Sequence, residues 1–278
     1  MNSGGARRLA AAADRGWYSG AGSWLRSALR ETARLLFPAQ CAVCSRPGEP
    51  LCAPCLGLAL AAVLRPHEVD DLAELDVLAP TARAPVVSAG SYGGQLAAAL
   101  LEAKRPHGRA ILRRLGPALA RSLRHAADEV GQEARGLRAW VVPVPASGPS
   151  LRRRGFWPVG ELLRAAGPPP GFERRDALAW VPPLRRPGAL GRWRTLLGGP
   201  GSQKTRGRRA RSQAVRGSVR VAGGGTLRGV GVLLVDDVMT SGATLAECAR
   251  VLRAAGGTVL GAAVVAHVHA PSSDCANG

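Results

Sequence analysis

Val232-Leu233-Leu234-Val235-Asp236-Asp237-Val238-Met239-Thr240-Ser241-Gly242-Ala243-Thr244 passes from an apolar stretch through two carboxylates into a small, hydroxyl-rich turn. Four consecutive apolar residues read as a strand buried on both faces, the kind found in parallel sheets. Thr240, Ser241, Gly242, Ala243 and Thr244 lack bulk, and Gly242 lets the backbone approach a ligand closely or take a positive φ. Residues 245–255 carry apolar side chains at helical spacing and stop at Gly256-Gly257, which puts the turn at a helix N-terminus. The unpaired N–H groups there, with the positive end of the helix dipole, favour a phosphate. Asp236 and Asp237 would repel a phosphate; they suit the two hydroxyls of a ribose, or a metal held through water. An ordinary strand-to-helix connection capped by Thr or Ser needs neither the paired acids nor the extra hydroxyls.

On both sides of this stretch the sequence alternates in the manner of an α/β domain over residues 84–268. Strands are expected at 86–92, 139–144, 230–235 and 258–267. Helices are expected at 95–104, 110–125, 156–166 and 244–255. The second of these should be interrupted or kinked at Gly116-Pro117, and the third tolerates Pro158 in its first turn. Residues 1–36 form a disordered or helical extension, with an amphipathic helix expected over 24–36, and 269–278 form a flexible tail. Residues 167–216 read as a long basic loop, crowded with Pro, Gly and Arg in its first part.

The chain has 278 residues, with 38 Lys and Arg against 19 Asp and Glu, a formal net charge of +19. Lys104 and Lys204 are the only lysines. Such an arginine bias, with abundant Ala, Gly and Pro, is what a GC-rich genome produces, but its distribution is uneven. No acidic residue occurs between Asp176 and Asp236, while Arg206, Arg208 and Arg209 are among the many cations there. A tract of that kind attracts polyanions, single-stranded DNA or a diphosphate among them, or forms a solvated loop. No apolar run approaches the ~20 residues of a membrane span, and no signal peptide is evident, so a cytoplasmic location is expected.

Cys41, Cys44, Cys52 and Cys55 give two Cys-x2-Cys pairs inside a module spanning 37–60. Two such pairs can wrap one tetrahedral zinc ion in the closed four-thiolate arrangement of structural sites. Bound zinc can contribute ~10–16 kcal/mol of apparent folding energy to a segment with almost no core of its own. Two disulfides or a redox pair are the competing readings, and both suit a reducing compartment less well. Cys248, on the helix after the turn, reads as a small buried residue. His67, His107 and His125 show no ligand spacing, and His267 and His269 alternate at a strand end as packing or surface residues.

The stretch at 232–244 resembles the PRPP-binding loop of type I phosphoribosyltransferases. The four-cysteine module ahead of such a domain resembles the ComF family of competence-associated proteins. Tyr92 with Leu101-Glu102-Ala103-Lys104 is similar to that family's tyrosine and helix-ending lysine. Val141-Val142-Pro143-Val144-Pro145 followed by Arg152-Arg153-Arg154-Gly155-Phe156 resembles its strand and Arg-Gly-Phe signature, and Gln203, Arg211 and Gly217 fit its glutamine-arginine-glycine segment. Trp157 and Pro158 stand where members usually carry Asn-Gln, Ala214 where an asparagine is usual and Val219 where a phenylalanine is usual.

The resemblance implies a type I phosphoribosyltransferase-like parallel sheet flanked by helices, with a small N-terminal zinc-binding module. It also implies binding of PRPP or a related ribose phosphate with magnesium, phosphoribosyl transfer, and a role in DNA uptake alongside single-stranded DNA or a DNA-processing protein. Asp236 and Asp237 would take the ribose hydroxyls, and residues 240–244 the 5-phosphate. Arg152, Arg153 and Arg154 would lie near the diphosphate on a flexible turn, or simply begin a solvated helix. Lys104 would reach a phosphate or cap its helix.

Overall fold

The computed structural model describes residues 40–69, 84–181 and 215–269. The contacts divide the chain into two units after Cys52. In the second unit, α1 (Ala53–Ala61) leads to β1 (His67–Glu68) and β2 (Val86–Ser91), followed by α2 (Gly94–Ala103) and α3 (Arg109–Glu129). Next come β3 (Arg138–Pro143), α4 (Gly148–Arg154), α5 (Pro158–Ala166), β4 (Glu173–Arg174) and β5 (Leu178–Trp180). After β6 (Val219–Val221), the chain forms β7 (Val230–Met239), α6 (Ala243–Ala254) and β8 (Thr258–His267).

Six strands join in the order β1-β2-β8-β7-β3-β4. All neighbours are parallel except β1 with β2. The fold is therefore α/β with a mostly parallel sheet, as expected from the apolar runs. In β8, Val259 and every residue after it are buried, because helices on both faces leave no polar side to the central strands. α3 and α5 pack against β2, β8, β7 and β3. Along β7, Val230, Val232 and Leu234 share a core with Leu245, Cys248, Ala249 and Leu252 of α6; the residues between them turn to the other face. In a parallel sheet the C-terminal ends of β2, β8, β7 and β3 share one edge, and ligands of such folds bind there. Among the described residues no helix is long and apolar enough to cross a membrane.

Three local expectations are corrected. The strand expected at 230–235 continues through both carboxylates to Met239, because β8 keeps pairing with it as far as Met239 opposite His267. Of the interruption or kink expected at Gly116-Pro117, the interruption is absent: α3 runs through Pro117 without a break. Proline costs a helix interior about 3 kcal/mol, and burial of Leu112, Leu115, Leu119 and Leu123 offsets that. Gly116 marks a close crossing instead, since a Cβ there would sit 2.5 Å from Cβ of Ala165 on α5. Finally, residues 148–154 are helix rather than flexible turn. Ser147 caps α4 by accepting from the Ser150 N–H at 3.3 Å, and Gly155 ends it at φ 77°. The expected extension at 1–36 lies outside the described residues, as do all but the first residue of the expected tail at 269–278 and most of the expected basic loop, including Lys204, Arg206, Arg208, Arg209 and Arg211.

Candidate functional site

β7 carries Asp236 and Asp237 to the C-terminal edge, past the point where β3 stops. Pro143 pairs with Val235, and the Val144 N–H donates the last bond, to Val235 O at 2.8 Å. β8 continues alongside on the other flank. The two acids thus sit where the sheet narrows beside the β3–α4 connection.

Their environments differ. Lys104, which ends α2, places Nζ 3.1 Å from Oδ1 and 3.0 Å from Oδ2 of Asp237, a two-point contact on a buried carboxylate. Asp236 instead folds back, its Oδ1 accepting the Asp237 N–H at 2.8 Å. Burial, and next the charge of Asp237, push the Asp236 carboxyl up to about 8, with the Asp237 N–H and Lys104 opposing. The pair therefore holds one carboxylate paired with a lysine and one that keeps its proton at neutral pH. Cys248 packs below, its thiol raised by burial and then by the charges of Asp236 and Glu247.

Thr240, Ser241 and Gly242 make the connection to α6. Thr240 is exposed and Ser241 is buried. Gly242 is the N-cap at φ 77°, and no side chain caps the helix. A left-handed N-cap without Cβ leaves the first N–H groups of α6, beginning at Ala243 and Thr244, accessible from the loop side. Glu247 on the same helix is buried, takes Arg250 as its ion pair at 2.8 Å, and accepts the Gly217 N–H at 2.7 Å. It thereby ties the strand-entry segment before β6 to α6.

The structure thus brings Lys104 to the two carboxylates and sets both beside the 240–244 loop. Arg152, Arg153 and Arg154 stand on α4, which follows β3 from the same edge. Among the described residues none of the three is bonded to the acids or to the loop, and Arg152 and Arg153 are exposed. Sequence reasoning missed a histidine group at this edge. The rings of His67 and His267 are 5.1 Å apart, and those of His267 and His269 4.3 Å. Ser91 Oγ lies 2.7 Å from His269 Nε2. Burial, then His269 and His67, hold the His267 imidazole below its ordinary value. Only the register of β1, β2 and β8 assembles this group, so spacing along the chain gave no signal.

The four cysteines form a cluster near the start of the described chain. The sulfur atoms of Cys41, Cys44, Cys52 and Cys55 lie within 4.8 Å of one another, and all are free thiols. Cys44 Sγ is 3.6 Å from Cys52 Sγ, and the Cys52 N–H points at Cys41 Sγ, 3.5 Å away. Burial pushes the Cys41 thiol up, yet the N–H groups of Cys52, Cys44 and Val43 together outweigh it and bring it down to about 6. A thiolate stabilised at neutral pH, among three more thiols at ligand distance, fits a four-sulfur zinc site.

Residues 202–274 match the phosphoribosyl transferase domain family. That segment contains both carboxylates, the 240–244 loop, α6 and β8, and is phosphoribosyltransferase-like. Among solved structures, a hypoxanthine phosphoribosyltransferase from Staphylococcus aureus is similar in two crystal forms. In the tetragonal form the identity is 14%, with 55% of this chain and 64% of that one covered at a TM-score of 0.25. In the orthorhombic form the identity is 10%, with 56% and 74% covered and the same TM-score of 0.25. The chain thus spans less than two thirds of the length of the first of these. No curated protein matches the sequence.

Proposed function

We propose that this is a ComF-like protein whose C-terminal domain binds PRPP or a related ribose phosphate and transfers the phosphoribosyl group, with DNA uptake as the setting the resemblance implies. The observation that carries this reading is the placement of Asp236 and Asp237 at the end of β7, immediately before a left-handed Gly242 and a helix N-terminus that no side chain caps. In this reading the α6 N–H groups and the hydroxyls of Thr240, Ser241 and Thr244 hold the 5-phosphate. Asp236 and Asp237 accept the ribose hydroxyls, and Lys104 keeps Asp237 correctly turned. Arg152, Arg153 and Arg154 meet the diphosphate as it leaves the anomeric carbon.

Asp236 and Asp237 are hard oxygen donors of the kind magnesium takes through water. With Asp237 already neutralised by Lys104, they suit an ion that arrives on the diphosphate. The ion, when bound, offsets charge on the leaving group. Cys41, Cys44, Cys52 and Cys55 would hold a structural zinc.

Calorimetric titration of magnesium-PRPP into zinc-loaded protein, beside the variant Asp236→Asn/Asp237→Asn, tests the reading. Heat in the parent and binding at least tenfold weaker in the variant is the expected result. Equal affinity in the two proteins would remove the acids from the site. Absence of heat in both would remove the ribose phosphate and leave the nucleic-acid partner as the surviving alternative.

A further inference from the structure

His125 and Glu129 are four residues apart near the end of α3, so their side chains share one helix face. His125 Nε2 lies 4.0 Å from Glu129 Oε1. Glu68 arrives from β1, and the ligand atoms of Glu68, His125 and Glu129 all fall within 4.8 Å of one another. Successive side chains of a strand point to opposite faces. His67 faces His267, and Glu68 is thereby turned toward α3.

The backbones bearing these groups are fixed by bonds that owe nothing to the cluster. Glu68 is registered opposite Val87, and the next residue donates its N–H to Val86 O at 2.8 Å. One helical turn before His125, Arg121 Nη2 donates to Val63 O at 2.9 Å and holds the chain that leads into β1. Ser122 Oγ donates to Val264 O at 3.1 Å and pins α3 to β8.

We infer that Glu68, His125 and Glu129 form a second metal site, distinct from the four cysteines, for a divalent first-row cation of the zinc class. Two carboxylates and one imidazole are a mixed oxygen–nitrogen donor set that such ions favour, with water completing the shell. Ligand atoms around tetrahedral zinc stand about 3.3 Å apart, as bond lengths of about 2.0–2.1 Å require. The observed 4.0 Å closes to that with small rotamer changes in side chains that are 37% and 46% exposed. A shared cation also relieves the repulsion between two carboxylates held this close. Its structural effect is to tie an edge strand of two residues to the last turns of the longest described helix.

The test is cobalt titration of the full chain with visible and near-ultraviolet absorption, together with metal analysis. The cysteines give an equivalent with intense sulfur-to-cobalt charge-transfer bands. The site inferred here adds a further equivalent with weak visible bands and no sulfur band. His125→Ala and Glu129→Gln should each weaken that equivalent at least tenfold while leaving the sulfur-type equivalent and the circular dichroism unchanged. Glu129→Gln keeps the side-chain volume at a half-exposed position, so it decides the matter if His125→Ala fails to fold. No equivalent lacking sulfur bands in the parent, or its retention in a folded variant, overturns the inference.

Discussion

Asp236 and Asp237 are adjacent in sequence and differ in environment: Lys104, 133 residues away, bonds Asp237, while burial holds the Asp236 carboxyl up. The acids themselves were legible, because two carboxylates after an apolar strand and before a small-residue turn serve no ordinary structural purpose. Their asymmetry was not legible, since nothing in the spacing aims a helix-ending lysine at one of them. It has a consequence for stability. A carboxyl that moves from 3.8 in the unfolded chain to about 8 in the fold takes up a proton on folding between those limits. Stability therefore falls as pH rises through that window. Asp236→Asn removes this titration, so the variant should lose less stability than the parent between about pH 5 and 9. It should be the more stable of the two at pH 9, by about 1–3 kcal/mol. Thermal melts across that range check it, and identical pH profiles would mean that Asp236 is ionised in the fold. The same substitution that weakens ligand binding is thus expected to strengthen the fold, the usual exchange at a binding site built from a costly group.

Among the elements, the four long parallel strands were readable because each is a run of apolar residues. The strands of β5 and β6 were not: each has three residues and exists only because Leu178 meets Val221 and Trp180 meets Val219 across a wide gap in sequence. Helix α4 was hidden for another reason, as its Gly-Pro start reads as a turn until Ser147 is seen capping it. At Gly116-Pro117 the local signal pointed to a break or a kink, and packing against α5 and β8 keeps the helix continuous. The glycine serves the crossing with Ala165. Gly116→Val should force α3 and α5 apart and cost about 1–3 kcal/mol, read as a lowered denaturation midpoint with an unchanged denaturant slope. A neutral result would show that the two helices separate without loss.

In the whole molecule, the four-cysteine cluster and the sheet place different demands on the thiols. Cys248 is fully buried, with its thiol driven up, whereas Cys41 is brought down to about 6. Chelation of a bound metal should therefore expose four additional thiols to a sulfhydryl reagent, those of Cys41, Cys44, Cys52 and Cys55. Cys248 should stay unreactive until the sheet unfolds. Reaction of fewer than four on chelation would break the shared-ion arrangement. The strand order carries one more implication, for synthesis. β8 and β7 occupy the centre of the sheet, yet among the described strands they are the last two made. Until His267 has left the ribosome, β1–β2 and β3–β4 are separate fragments with no strand to join them. Their apolar edges must wait in the open until then, an interval in which a nascent chain needs a chaperone.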